Sequence, residues 1–442
     1  MQTQELWNTR AGFILAAAGS AVGLGNIWRF PYVTGENGGG AFLVIYLGLA
    51  FTIGLTVLLA ELAIGRATRR DPAGAFRVLH GGVWTTAGYL GIAAAFVLLS
   101  FYSVVGGWTF AYVVKAVTGS LAGASAETAE ASFEALSGDP LQPVLYHAVF
   151  MVLTTAIVAA GVGRGIERAS KLLMPAFFVI LVILIGRALT LPGAMDGLRF
   201  YLTPDFSEVT PATVTAALSQ AFFSLSIGMG AMITYGSYLA SQHSHPRSAL
   251  WITAIDTGVA VFAGLLIFPV VFAFGHDPAA GPGLTFVTLP TVFERMTGGG
   301  LFAAAFFLLL GLAALTSAVS LLAVPVANFV YAQRLDRVRA SILLGLVVFL
   351  LGVPSSLSLG VMQEHTLFGL GFMDLMETLA IKIMLPVGGI LIALFTGWVA
   401  YPRLVQETLR DGQTSAPWQK AWSLFCRFIA PAAILWVLIA GL

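Results

Sequence analysis

The sequence predicts an all-α integral membrane protein with about eleven transmembrane helices. Of the 442 residues, 58% are hydrophobic and only 10% are charged, whereas a soluble domain carries roughly 25% charged residues. Windows such as Leu43–Ala60 and Val144–Gly161 reach the length of about 18 apolar residues that marks a membrane-spanning helix. Both observations favour one compact membrane domain over residues 1–442.

Eleven hydrophobic segments follow one another along the chain, separated by short polar connections. The connection 276–298 mixes Gly and Pro with apolar residues, which predicts a helical or re-entrant cap. The segments run approximately over 10–34, 40–66, 86–118, 143–161, 170–190, 213–240, 248–275, 299–331, 340–356, 373–398 and 422–441.

The positive charges indicate the orientation. With the N-terminus inside, the inner loops hold most of the arginines and lysines, whereas the outer loop 119–142 carries four acidic residues and no basic one. Positive charge is retained on the cytoplasmic side during insertion. We therefore expect a multi-pass membrane protein with a cytoplasmic N-terminus and, with eleven spans, an extracytoplasmic C-terminus. The inner charges are Arg66, Arg69, Arg70, Arg77, Arg164, Arg168, Lys171, Arg247, Arg334, Arg337, Arg339, Arg403, Arg410 and Lys420.

The net charge and the cysteine and histidine contents argue against several classes of function. The net charge of +1 gives no reason to expect a nucleic-acid partner, and the single Cys426 allows no internal disulfide. The N-terminus shows no cleavable signal pattern. Almost all of the six histidines fall in loops, so no metal-dependent enzyme site is predicted, and no segment carries the repeated polar stripe of a channel.

Two of the segments are interrupted by small and polar residues at mid-membrane. The first contains GSAVGLGN (Gly19–Asn26), and the sixth contains SLSIGMG (Ser224–Gly230). They lie five segments apart, so corresponding segments have opposite orientations. Paired interruptions of this kind indicate a transporter built from an inverted repeat, because unwound backbone is tolerated where it lines a cavity. The alternative is that the glycines only allow close helix packing.

Polar side chains inside the segments support a binding site. Asn26, Ser224, Asp256, Thr316 and Ser317 carry the hard oxygen ligands that suit Na⁺. Asp256 is the most informative, because an intramembrane carboxylate is costly and marks a functional site by default. Its alternative interpretation is a structural hydrogen bond near a helix end.

Charged residues flank this region toward the outside. Arg29 closes the first interrupted segment, and Asp374 and Glu377 at the start of the tenth are its candidate partners. Lys382 lies deeper in the same segment, where it either pairs with a carboxylate or extends toward the surface.

Several motifs together resemble the neurotransmitter:sodium symporter family, especially its bacterial eleven-span amino-acid transporters. The resemblance covers nearly the whole chain, and the first long motif is already highly specific. The motifs are Trp7, GLGNIWRFPY (Gly23–Tyr32), ENGGGAF (Glu36–Phe42), ELAIGR (Glu61–Arg66), KLLMP (Lys171–Pro175), QAFFSLS (Gln220–Ser226) and LTSA (Leu315–Ala318).

The resemblance implies two inverted five-helix repeats, approximately 10–190 and 213–398, with broken helices 1 and 6 and an extra helix 422–441. It also implies two Na⁺ ions beside a central amino-acid site. The first ion would contact Ala21, Asn26, Ser224 and Asp256. The second would contact the carbonyls of Gly19, Val22 and Ala313 and the hydroxyls of Thr316 and Ser317.

The same resemblance places the amino-acid substrate. Its carboxylate would lie on the Leu24–Gly25 backbone and bond to Tyr102, and no charged residue would face its side chain. A neutral, hydrophobic or aromatic L-amino acid is therefore expected, and Asp256 would supply the negative charge that other members take from chloride. The predicted contact residues are Ser20, Ala21, Leu24, Gly25, Leu98, Tyr102, Phe223, Ser224, Ser226, Met229, Ser317 and Leu321.

Gating residues are also implied by the resemblance. Arg29 with Glu377, beside Asp374, matches an outer ion-pair gate, and Tyr102 with Phe223 matches an aromatic lid. Trp7 would pack at the inner side, where the family's salt bridge is replaced by Gln4 and Tyr331. Gly165 and Pro175 match a pattern that lets the start of helix 5 unwind.

The predicted function is sodium-coupled symport by alternating access, independent of chloride and without enzymatic activity. Only an amino acid, Na⁺ and the lipid bilayer are expected as partners, with no nucleic acid and no obligatory protein partner. The alternative is a non-transporting amino-acid sensor with the same fold.

Overall fold

The computed structural model describes residues 6–121, 125–239, 244–279, 283–333, 335–410 and 416–440. Within these ranges the chain is helical, with two isolated β-bridges and no β-strand. In chain order, the helices that position the site are α1 (Arg10–Ala21), α2 (Gly25–Glu36), α3 (Gly40–Thr68), α4 (Pro72–Leu79), α5 (Gly82–Val117), α6 (Ala126–Ser137), α7 (Gln142–Ala159), α8 (Val162–Leu189), α9 (Ala194–Leu202), α10 (Pro211–Ser224), α11 (Ala231–Ser237), α12 (His245–Ala273), α13 (Leu284–Glu294), α14 (Gly299–Gln333), α15 (Arg337–Leu357), α16 (Phe372–Val405) and α17 (Pro417–Ala440).

The predicted all-α membrane fold is confirmed. In the described part of the chain, nine helices are long and apolar enough to cross a membrane, and the bent pair α1–α2 makes a tenth. The broken pair α10–α11 occupies the predicted sixth segment, so each of the eleven predicted segments corresponds to a helix or a broken helix pair. The predicted outer cap contains α13, although residues 280–282 lie outside the described ranges.

The first break separates α1 from α2 by a bend of 49°. Thr9 caps the start of α1, where its hydroxyl accepts the backbone N–H of Gly12. At the other end Val22 adopts an extended conformation, with ψ of 107°, which ends the helix. The Gly-rich stretch therefore forms a bend between two helices, as the sequence predicts.

The second break lies between α10 and α11. Ser226, Gly228 and Gly230 have φ angles of 53°, 90° and 73°, all in the left-handed region. Glycine adopts these angles without a steric penalty, whereas Ser226 is held there at some cost in backbone energy. A Cβ at Gly228 would also overlap the Leu385 carbonyl oxygen of α16, so both the turn and the close packing require glycine at this position.

Long helices surround both breaks. α14 packs along α5 over most of its length, and α15 packs against α7. The predicted outer cap joins this framework because the Tyr112 hydroxyl of α5 donates to the carbonyl of Phe286 in α13 at 2.8 Å. On the periphery, Cys426 in α17 is fully buried. The breaks of the chain thus lie inside a shell of continuous helices.

Candidate functional site

Three polar side chains from separate helices meet beside the two breaks. The Asn26 amide nitrogen donates to Asp256 Oδ1 at 2.8 Å and to Ser224 Oγ at 3.0 Å. Ser224 Oγ in turn donates to Asp256 Oδ2 at 2.8 Å. Each of the three side chains is at most 1% exposed. The structure therefore brings together three of the four predicted ligands of the first Na⁺ site, and the fourth, Ala21, is the buried last residue of α1.

The chemistry of this cluster fits a small cation. Among the described residues, no lysine, arginine or histidine pairs with Asp256, and a buried carboxylate without a cationic partner is costly. The Asn26 amide oxygen accepts from the Gly23 N–H at 3.0 Å, and turning the amide over presents oxygen to the cluster instead. No group of three His, Cys, Asp or Glu side chains suited to a metal occurs within the described ranges. The neutral and anionic oxygen ligands suit a hard ion such as Na⁺.

The residues predicted for a second Na⁺ site also lie together, where α1 faces α14. The Ser317 hydroxyl is 3.1 Å from the Val22 carbonyl oxygen and 3.4 Å from that of Gly19. The Thr316 hydroxyl donates to the Ala313 carbonyl at 3.0 Å, and a Cβ on Gly19 would lie 3.3 Å from Thr316. Three carbonyls and two hydroxyls therefore converge without any charged group.

The predicted substrate site lies between these two clusters. The Leu24 N–H donates to the Tyr102 hydroxyl at 3.1 Å. A Cβ on Gly23 would overlap both the Tyr102 and Ser317 oxygens, and one on Gly25 would lie 3.0 Å from the Phe223 ring. The absence of side chains at both glycines leaves the backbone of the bend open to groups from α5 and α10.

Serines from both breaks contact each other across this site. The Ser226 hydroxyl donates to the Ser20 carbonyl at 3.0 Å, and the Ser20 hydroxyl donates to the Ser320 hydroxyl at 2.6 Å. The remaining predicted contact residues are apolar and at most 3% exposed; they are Leu98, Met229 and Leu321. The Met229 backbone packs on Gly91 of α5, where a Cβ would lie 3.1 Å from its carbonyl carbon.

On the side predicted to face outward, Arg29 lies in α2, next to the bend. Its guanidinium donates to Gln220 Oε1 at 2.7 Å and lies 5.4 Å from the centre of the Phe223 ring. The positive charges of Arg29 and Lys382 attract the Glu377 carboxylate, whereas the neighbouring Asp374 carboxylate repels it. The described residues contain no Arg29–Glu377 contact within 4.0 Å, so the ion-pair gate stays a prediction.

On the side predicted to face inward, Trp7 packs near the start of α1. Its indole N–H donates to the Tyr235 carbonyl at 3.0 Å, and its ring packs on Phe13, Tyr235 and Tyr238. Tyr331 lies under Arg70, whose guanidinium is 5.8 Å from the ring centre, and Gln4 lies outside the described residues. Helix α8 is continuous through Gly165 and Pro175, so unwinding there stays a prediction.

Two residues have site roles that the sequence interpretation did not assign. Glu61 of α3 is fully buried and accepts the Gly228 and Met232 N–H groups at 2.7 and 3.1 Å. Gln220 joins Arg29 to the first break, because its amide nitrogen donates to the Gly25 carbonyl at 2.7 Å. The sequence alone marks both residues as unusual, because each is a polar residue within an apolar helical segment.

Comparison with known proteins places the whole chain among transporters. The family model described as "Sodium:neurotransmitter symporter family" matches residues 4–137 and 140–442. The uncharacterised sodium-dependent transporter YhdH of Bacillus subtilis is 41% identical over 431 residues, which cover 97% of this chain and 96% of that protein. An uncharacterised sodium-dependent transporter of Haemophilus influenzae is 34% identical over 451 residues, covering 99% and 98% of the two chains.

A solved structure is similar over its full length. The crystal structure of MhsT in complex with L-phenylalanine superposes with a TM-score of 0.92 at 48% sequence identity, and the match covers 100% of both chains. The similarity therefore covers the whole fold of the chain.

Proposed function

Because the chain belongs to the sodium:neurotransmitter symporter family, we propose that it is a Na⁺-coupled symporter of neutral, hydrophobic or aromatic L-amino acids. The observation that carries the proposal is the convergence of Asn26, Ser224 and Asp256 with the Leu24–Tyr102 pair at one helix break. A cluster of side chains suited to bind a cation and an N–H group at the start of a helix then lie at the same bend of the chain. A zwitterionic amino acid fits this arrangement, because its carboxylate needs both a cation and N–H donors.

The residues that would hold the two ions differ in charge. Asp256 gives the first cluster a formal negative charge, while Ser317, Thr316 and the three carbonyls of the second cluster are neutral. A Na⁺ ion beside Asp256 supplies the positive charge that attracts the substrate carboxylate. Since Asp256 already balances that ion, the proposed transport does not require chloride.

The substrate side chain would lie among Leu98, Met229 and Leu321, together with the Phe223 ring and the Ser226 hydroxyl. These surroundings contain no charged side chain among the predicted contact residues, which favours an apolar or aromatic side chain. MhsT holds L-phenylalanine, and this agrees with an aromatic substrate here. The flexible side chain of Met229 adapts to ligands of different shape, so a range of such amino acids is expected.

Alternating access would expose this site to each side of a bacterial inner membrane in turn. The distribution of arginine and lysine favours a cytoplasmic N-terminus. With this orientation, the Trp7 contacts would lie on the inner side and the Arg29 contacts on the outer side. Sodium and substrate would bind cooperatively because each completes the other's shell of ligands.

Proteoliposomes containing the purified protein test the proposal. The twenty amino acids are first screened for Na⁺-dependent binding, and uptake of the best ligand is then measured with an inward Na⁺ gradient. We expect hydrophobic and aromatic amino acids to bind and to accumulate only with the gradient. Binding without gradient-driven uptake would instead identify an amino-acid sensor, and binding unaffected by Na⁺ would contradict the proposal.

A further inference from the structure

The buried carboxylate of Glu167 connects the N-terminal segment of the chain to the start of α8. Glu167 Oε2 accepts the Asn8 backbone N–H at 2.7 Å and the Asn8 amide at 3.1 Å. Oε1 accepts the Thr9 hydroxyl at 3.0 Å. The side chain is 1% exposed, and its one ionic partner among the described residues is Lys171, at 2.6 Å in the next turn of the same helix. Three of these four contacts join two different parts of the chain.

The fit around this carboxylate is close. A Cβ on Gly12 would overlap Glu167 Oε1, and a Cβ on Gly163 would lie 2.6 Å from the Asn8 amide nitrogen. Thr9 is also the N-cap of α1, since its hydroxyl accepts the Gly12 N–H at 3.0 Å. The negative charge therefore lies at the N-terminus of α1, where the helix dipole stabilises it.

The two ends of α1 lie at different sites, one at Glu167 and the other at the second cluster of oxygen ligands. Its 12 residues make a rod about 18 Å long, with Thr9 and Glu167 at one end and the Gly19 and Val22 carbonyls at the other. A movement of the first turn away from α8 is transmitted along the rod to those carbonyls. The contact at Glu167 is thus coupled mechanically to the second cluster of oxygen ligands.

Glu167 itself lies in the first turns of α8, which begin after Gly161 and contain Gly165. Any loss of helical structure in these turns moves the carboxylate and removes its bonds to Asn8 and Thr9 together. Trp7 contributes a separate, neutral contact to Tyr235. Glu167 is therefore a charged group that holds α1 and the start of α8 together.

We propose that Glu167 is a positioning residue that keeps the inner side closed by holding the start of α1 on α8. This inference rests on the proposed Na⁺-coupled transport. In the closed state the Gly19 and Val22 carbonyls stay in place for Na⁺, and release of Asn8 and Thr9 from Glu167 opens the inner path. Binding of Na⁺ and the bonds of Glu167 then stabilise the same position of α1.

Hydrogen–deuterium exchange of the full-length protein in nanodiscs tests this role. In Na⁺ buffer, we expect the backbone amides of residues 7–15 to exchange about tenfold faster in Glu167→Gln than in the wild type. Gly12→Ala displaces the carboxylate without changing any charge and should have the same effect. The matched control is Lys171→Met, which keeps all three bonds to the N-terminal segment and should leave this exchange within about twofold of the wild type.

A second readout separates positioning from a purely structural role. If the inner side opens more easily, the Na⁺ concentration for half-maximal substrate binding should rise about fivefold in Glu167→Gln, while exchange in α5 and α14 stays unchanged. Unchanged exchange of residues 7–15 in both variants would overturn the proposal, and so would faster exchange throughout the protein. If wild-type binding does not depend on Na⁺, the proposed function fails, whereas the comparison of variant and wild-type exchange still decides the role of Glu167.

Discussion

A carboxylate oxygen of Glu61 accepts the backbone N–H of Gly228 at 2.7 Å, although the two residues are 167 positions apart in the sequence. The second oxygen accepts the Met232 N–H at 3.1 Å. Backbone donors freed by the second break are thus satisfied by a side chain of α3 in the buried interior. A break in a membrane helix is stable here because another helix supplies the missing acceptor.

Replacing Glu61 by alanine should therefore destabilise the protein strongly. Leaving buried N–H groups without an acceptor costs about 1–3 kcal/mol for each group, so we expect a clear fall in the unfolding temperature and a loss of substrate binding. Thermal unfolding in detergent measures the effect. Glu364→Ala, at an exposed carboxylate, is the control, and equal stability of both variants would contradict this role.

Replacing Asp256 by asparagine should make the protein depend on chloride. Without the carboxylate, we expect the Na⁺ concentration for half-maximal substrate binding to rise about tenfold or more in chloride-free buffer, because a charge-assisted contact is lost. Added chloride should restore much of the binding. The control is Asp196→Asn, which removes an exposed carboxylate. If chloride strongly stimulated transport by the wild-type protein at neutral pH, Asp256 would not replace chloride and the prediction would be wrong.

Replacing Gln220 by leucine should accelerate release of the bound amino acid. The side chain bridges the Arg29 guanidinium and the Gly25 carbonyl at 2.7 Å each, so its loss frees Arg29 above the site. Hydrogen bonds to charged groups contribute about 1.5–3 kcal/mol, which corresponds to a dissociation rate at least about tenfold faster. The rate is measured by chasing radiolabelled ligand with unlabelled ligand. Gln363→Leu at an exposed position should not change it.

Replacing Met229 by phenylalanine should reorder the preferred substrates. A larger, rigid ring among the apolar contact residues leaves less room, so we expect binding of tryptophan to weaken relative to leucine by about tenfold. Competition binding with both amino acids gives the ratio. Met195→Phe, at a methionine that is 59% exposed, serves as the control, and an unchanged ranking would exclude Met229 from the side-chain site.

The extent to which the sequence predicts the structure differs between fold and site. Eleven apolar segments and two glycine-rich interruptions indicate the helices and both breaks, because hydrophobic length and backbone propensity act locally. The grouping of Asn26 with Asp256 depends on packing between helices, and it was placed by resemblance rather than by physical argument. The repeat ranges 10–190 and 213–398 are still predictions.

Long-range hydrogen bonding accounts for most of what sequence inspection missed. Glu61 and Gln220 stand out as polar residues in apolar segments, which indicates a role without identifying the partner, whereas Glu167 lies among the charged residues Arg164, Arg168 and Lys171 and does not stand out. Several of their partners are backbone groups of distant segments, such as the Gly228 and Asn8 N–H groups. Backbone groups are the same at every residue, so no sequence pattern reveals which of them a side chain will reach.

The burial of Cys426 makes this protein convenient for spectroscopy. It is the only cysteine in the sequence, and its side chain is fully covered within α17. Thiol-reactive fluorophores or spin labels attached to newly introduced cysteines will therefore encounter little background from the native thiol. Distance changes between the inner and outer ends of the molecule can be followed without first removing a natural residue.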